Sequence, residues 1–217
     1  LWALPVLLFC APDARAQDSL DNGIAGDLQL DLVLTGLNGV TGADFLPDGR
    51  MLMTEQNSGN VLLYDFNNPP QVIGTININA SGSERGLLNV VVDPMFASSR
   101  RLYFYYSTGN TQSVGWVTLN ANDTLDSADP TEIITGLAAN RNHDGGGLAF
   151  GPDGLVYVAV GDTGCNCGCQ PGTNRDNYFP TCLNKLHGKI LRVDRDGNIP
   201  ANNPLVGVTD VAGCNTG

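Results

Sequence analysis

Asn142-His143-Asp144-Gly145-Gly146-Gly147 sets an imidazole beside three glycines. Histidine has the side chain whose unperturbed pKa, about 6.5, lets it take up a proton near neutral pH. Glycines beside it let the backbone approach a ligand while the ring points into an opening. Asp162, in Gly161-Asp162-Thr163-Gly164, lies at the far end of the next hairpin's return strand. If that hairpin closes at Pro152-Asp153-Gly154, position 162 comes back to position 143. There a carboxylate would orient the imidazole and stabilise its charged form. Glu84, in Ser83-Glu84-Arg85-Gly86-Leu87-Leu88, holds the same relative place one repeat earlier and is one of only three glutamates. Each residue also has a plainer reading: a loop histidine among flexible glycines, a turn-capping aspartate, and a surface glutamate paired with Arg85.

Three copies of one plan must position these groups. An apolar stretch runs into a Pro-containing tight turn and an apolar return strand at Ala43–Glu55, Leu88–Tyr106 and Leu148–Val160. Pro presets φ at the first corner, Asp can bond its own backbone, and Gly accepts positive φ. A third strand is predicted over Asn60–Phe66, Gly115–Leu119 and Lys189–Asp194, and a fourth over Gln71–Ile78 and Thr131–Thr135. The turn prolines, Pro47, Pro94 and Pro152, lie 47 and 58 residues apart. That is the spacing of propeller blades. A sandwich also has short strands, but it does not repeat one hairpin at this interval. The expected fold class is all-β, a β-propeller of which this chain covers about three blades.

Composition agrees. Nineteen of the 22 acidic residues are Asp, beside 22 Asn, 27 Gly and 12 Pro. Asp, Asn and Gly favour turns over helix, which excludes a coiled coil or helical bundle. With 42% apolar residues the chain can bury a core. A net charge of −11 with 11 cationic residues repels a phosphate backbone, so nucleic acid is not expected as a partner.

Leu1–Ala11 is an apolar run of the length of a signal-peptide h-region, and Ala14-Arg15-Ala16 supplies a small-x-small cleavage pattern. Residues 1–16 are therefore expected to be a signal peptide clipped at its N-terminus, with a periplasmic or secreted protein following. No run reaches the ~20 apolar residues of a membrane span, so no membrane partner is expected. Beyond the leader, Cys165, Cys167, Cys169, Cys182 and Cys214 cluster in the last quarter. In an oxidising compartment disulfides are the expected use. A four-thiolate metal site fits the spacing less well.

Glu84-Arg85-Gly86-Leu87-Leu88, Asn142 through Gly154, Gly161-Asp162, and Gly188-Lys189-Ile190-Leu191-Arg192-Val193-Asp194 with Asp196-Gly197-Asn198-Ile199-Pro200 and Asn203-Pro204 occur in that order. This ordered set resembles the soluble glucose/sorbosone dehydrogenase family, which includes aldose sugar dehydrogenases that use pyrroloquinoline quinone (PQQ). The resemblance covers about residues 30–206. It implies a six-bladed propeller with PQQ in its central cavity and calcium nearby, acting on an aldose and passing electrons to an external acceptor. It implies His143 as catalytic base, Asp162 as the carboxylate holding it, Glu84 at the quinone and substrate edge, and Asn142 as the base's polar neighbour. The implied reaction takes the anomeric hydroxyl's proton to His143 and a hydride from C1 to the quinone, leaving the lactone. No cationic residue here matches a quinone-carboxylate clamp, and the calcium ligands are expected further along the family's length, so no metal ligand is assigned.

Hedgehog-interacting proteins resemble the same fold, which gives the alternative of a non-catalytic extracellular binding propeller. Residues 17–217 are expected to be the N-terminal half of the propeller, truncated at the C-terminus, and as such inactive by themselves.

Overall fold

Pro47-Asp48-Gly49 and Pro152-Asp153-Gly154 close hairpins of one geometry. Leu46 N–H donates to Arg50 O at 2.8 Å and Gly49 N–H to Leu46 O at 2.9 Å; Gly151, Leu155 and Gly154 repeat the pattern at 2.9 Å for both bonds. Gly49 and Gly154 have φ of 89° and 74°, the left-handed position that ends a three-residue hairpin loop and that glycine fills without strain. The same bonds recur without proline at Asn120–Thr124 and Asp194–Asn198.

The computed structural model describes residues 31–140, 142–163, 180, 183 and 185–208. The expected leader and all six cysteines lie outside them. The strands form three antiparallel meanders. The first is β1 (Val40–Phe45), β2 (Met51–Glu55), β3 (Asn60–Tyr64) and β4 (Gln71–Thr75). The second is β5 (Leu87–Val92), β6 (Arg101–Thr108), β7 (Thr111–Thr118) and β8 (Thr131–Ala138), with a single turn of helix, α1 (Phe96–Ser99), between β5 and β6. The third is β9 (Gly145–Phe150), β10 (Val156–Val160) and β11 (Lys189–Val193). These are the blades of an all-β propeller, stacked face to face.

Strand β6 shows why the blades stack. It is a continuous apolar run, Leu102-Tyr103-Phe104-Tyr105-Tyr106, because both of its faces are covered. Leu102, Phe104 and Tyr106 pack toward the first sheet against Leu52, Val61 and Leu63. Tyr103 and Tyr105 pack toward the third against Leu148, Val156, Val158 and Val193. Each buried side chain of this size contributes about 1.5–3 kcal/mol, against ~1 kcal/mol net for one hydrogen bond. Apolar stacking therefore holds the blades together, and the polar contacts at their ends set alignment.

Several details depart from the sequence-based expectation: the Pro94 corner carries α1 in place of a tight turn, β4 stops at Thr75 and β8 runs on to Ala138. Strand β7 begins at Thr111, not Gly115, because Gln112 and Ser113 are buried in the sheet despite their polarity. Strand β9 begins inside the glycine run, at Gly145. The glycines are therefore sheet residues: Gly147 pairs with Ala159, where an added Cβ would stand 2.8 Å from the Ala159 Cβ. The run thus belongs to the sheet, and its exposed members Gly145 and Gly147 still leave open backbone beside the imidazole.

Candidate functional site

Strands β9 and β10 pair through Gly145 and Val160, so the residues just beyond each strand end face one another. His143 precedes the pair and Asp162 follows it. The His143 Nδ1 stands 2.9 Å from Asp162 Oδ1. A carboxylate only accepts, so Nδ1 carries a proton, and in the neutral ring the lone pair is on Nε2. The imidazole is 53% exposed and the carboxylate 16%. The ring thus opens to solvent on one side and rests on a largely covered anion on the other.

The backbone beneath this pair is strained and cross-braced. His143 and Thr163 both lie in the left-handed region, at φ of 58° and 62°. Such a conformation costs about 1–2 kcal/mol for a residue with a Cβ, and for a β-branched threonine it is an outlier. Thr163 N–H donates to His143 O at 2.9 Å and Gly161 N–H to Asp144 O at 3.3 Å. Position 161 admits nothing but glycine, since a Cβ there would meet His143 O at 1.9 Å. Strain held in place by surrounding bonds is a mark of functional sites.

Glu84 approaches from the second blade. Its Oε2 accepts from the main-chain N–H of His143 and of Asp144, the latter at 3.4 Å. Two successive amides converging on one carboxylate oxygen fix the turn that carries the ring. Glu84 does not pair with Arg85, which is buried and faces the other way. The guanidinium donates to Asn140 O (2.7 Å), Ala139 O (3.1 Å), Asn110 Oδ1 (3.1 Å) and Gly109 O (3.4 Å). Asn142 is exposed beside His143. The structure therefore brings His143, Asp162 and Glu84 together and leaves Asn142 at the rim.

Behind the pair lies a buried polar cluster that the residue pattern did not single out. Asp144 is fully buried; its Oδ1 accepts from Asn140 N–H at 2.7 Å. Its Oδ2 and the Gln112 Nε2 have no other hydrogen-bond partner among the described residues, and the Gln112 amide lies close enough to favour the carboxylate. Tyr105 OH donates to Gln112 Oε1 and contacts Asp144 O at 3.2 Å. Burial pushes the Asp144 carboxyl above the usual carboxylate range; the Asn140 N–H, the Arg85 charge and the nearby Gln112 amide oppose this, and Glu84 reinforces it. Gln112, a lone amide in an otherwise apolar strand face, was the one available signal in the sequence.

Among the described residues no three His, Cys, Asp or Glu side chains converge as a metal site. Every described arginine is already bonded: Arg50 to Asp48 and Asp123, Arg100 to Leu119 O, Arg101 to Asp196, Arg192 to Asp153, Arg195 to Asp93, and Arg85 to carbonyls.

Residues 37–213 match the family described as glucose/sorbosone dehydrogenase. The chain is 26% identical over 200 residues to quinoprotein glucose dehydrogenase B of Acinetobacter calcoaceticus, a match over 80% of this chain and 40% of that protein. It is 29% identical over 172 residues to aldose sugar dehydrogenase YliI of Escherichia coli, covering 75% of this chain and 43% of that one. The PQQ-bound aldose sugar dehydrogenase of Streptomyces coelicolor superposes with a TM-score of 0.69 at 25% identity, over 79% of this chain and 49% of that chain. The chain thus spans less than half the length of each of these proteins.

Proposed function

This chain belongs to the glucose/sorbosone dehydrogenase family, and from that membership we propose that the full-length protein oxidises an aldose at its anomeric hydroxyl to the lactone, in the periplasm or outside the cell. The observation that carries the reading is the His143–Asp162 pair, closed at 2.9 Å with the ring half exposed.

In this reading Nε2 of His143 accepts the anomeric hydroxyl proton while Asp162 holds the Nδ1 proton and keeps the ring in that tautomer. PQQ, when bound, supplies the hydride acceptor for C1, and an external acceptor reoxidises it. Glu84 fixes the His143–Asp144 turn, and its carboxylate together with Asn142 forms the rim that sugar and quinone would meet. A general base so placed contributes about 10²–10⁴-fold in rate.

The described residues fit the proton-transfer edge of such a site. Each described arginine is engaged elsewhere and Lys189 donates to Pro180 O and His187 O, so none of these supplies a clamp for the quinone's carboxylates. We therefore assign the clamp and the calcium ligands to residues outside the described set.

The test is to add PQQ and calcium to the full-length protein and record quinone absorbance, then dye reduction with an aldose. Quinone uptake followed by aldose-dependent dye reduction is expected. Absence of uptake overturns the reading and leaves a binding propeller.

A further inference from the structure

Asn140 sits two residues past the end of β8 and is buried. Two of its three bonds reach the third blade. The main-chain N–H donates to Asp144 Oδ1 at 2.7 Å, the carbonyl accepts from Arg85 Nε at 2.7 Å, and the side-chain Nδ2 donates to Thr163 O at 2.6 Å. The partner at position 163 is a carbonyl, so the amide's orientation is fixed by chemistry. Asp144 is the residue next to the base and Thr163 the residue next to its carboxylate. One asparagine therefore ties both arms of the His143–Asp162 pair, and Arg85 ties that asparagine to the second blade.

The tie has something to resist. His143 and Thr163 both hold left-handed backbone, and each would relax toward an ordinary conformation if released. The relaxation of either would swing Nδ1 away from Asp162 Oδ1. The Thr163 N–H to His143 O bond joins the two arms to each other, and Glu84 holds the His143 arm to the second blade; the Thr163 arm is held to that blade through Asn140. We propose that Asn140 is a positioning residue for the His143–Asp162 pair, acting through its side-chain bond to Thr163 and its main-chain bond to Asp144. The inference rests on the reading of that pair as base and orienting carboxylate.

Replacing the side chain leaves both main-chain bonds available. Asn140→Ala removes the amide, and Asn140→Asp keeps its shape while setting an acceptor against the Thr163 carbonyl. In full-length protein without quinone, nitrogen-15 histidine NMR reads the His143 ring, assigned by the resonance lost in His143→Gln. Wild type should show one tautomer with its proton on Nδ1, and both Asn140 variants should average over two. In the quinone- and calcium-loaded protein, kcat should fall about 10–100-fold, the scale of a misplaced reacting group, with KM for the aldose within about twofold. An unchanged Nδ1–H resonance in a folded variant overturns the proposal, and the aspartate variant serves if alanine prevents folding. A wild-type ring locked in one tautomer and released in the variants, without quinone-dependent turnover, would uphold the positioning role while the dehydrogenase reading fails.

Discussion

The second and third blades meet at two ends, and the two ends are held differently. At the end where β5 and β11 finish, opposite charges cross the interface. Arg195 pairs with the fully buried Asp93, whose carboxylate also accepts from Met95 N–H and Ser99 Oγ at 2.8 Å each. Arg101 pairs with Asp196 at 2.7 Å while stacking 3.9 Å over the Trp116 ring. At the end where β5 and β9 begin, the buried cation Arg85 binds mostly carbonyls, and three carboxylates, Glu84, Asp144 and Asp162, face main-chain amides and an imidazole instead of a guanidinium. The strained residues His143 and Thr163 are at this end too. One end is satisfied pair by pair. The other keeps strained backbone, which a stability-driven design would remove.

If the ends divide labour in this way, substitutions at each should move different quantities. The largest effect is expected for His143→Gln, which keeps the ring's approximate reach but cannot take a proton. In the loaded full-length protein kcat should drop about 10²–10⁴-fold with quinone absorbance retained and the unfolding midpoint unchanged. Near wild-type turnover would remove His143 from the mechanism.

The mirror experiment is Arg195→Ala. It leaves Asp93 buried without its counter-ion, a loss of about 3–5 kcal/mol for a fully buried pair. Arg195 is 31% exposed and Asp93 keeps two other donors, so about 2–3 kcal/mol is the expected cost by urea unfolding, with kcat held within about twofold. A kcat loss as deep as that of His143→Gln would show that the ends are not separable.

How much of this was legible beforehand follows the same division. The hairpins at Pro47 and Pro152 announced themselves, because proline and glycine encode the turn locally. The equivalent turns at Asn120–Thr124 and Asp194–Asn198 did not, since Asp123 reaches φ 60° without being glycine and Asp194 replaces the proline-led corner with side-chain bonds to Asn198. His143 and Asp162 were legible through the hairpin's fold-back, which is a local fact. Asn140, Arg85 and Gln112 were not, because their partners lie 23, 55 and 7 residues away along the chain. The reading of Arg85 as a partner for Glu84 failed for a related reason: Arg85 is buried on the carbonyls of residues 109, 139 and 140, and Glu84 is taken by the amides of His143 and Asp144.

The smallest expected effect tests the comparison most closely, because it asks whether the site end is held by charge at all. The Asp144 carboxyl is pushed upward by burial against the Asn140 N–H, the Arg85 charge and the Gln112 amide, with Glu84 adding to the push. A carboxyl whose folded pKa exceeds its unfolded value, about 3.9, contributes stability that is complete below the unfolded value and is lost as pH rises through the folded one. Asp144→Asn removes that titration and keeps the side chain's size. Melting both proteins from pH 3.5 to pH 8, the asparagine variant should gain on wild type as pH rises from about 4 and then run parallel to it. The opposite slope would mean that Arg85 outweighs burial and ionised Asp144 is a stabilising partner. The site end would then be bound by opposite charge as the far end is, and the division of labour between them would rest on the strained backbone alone.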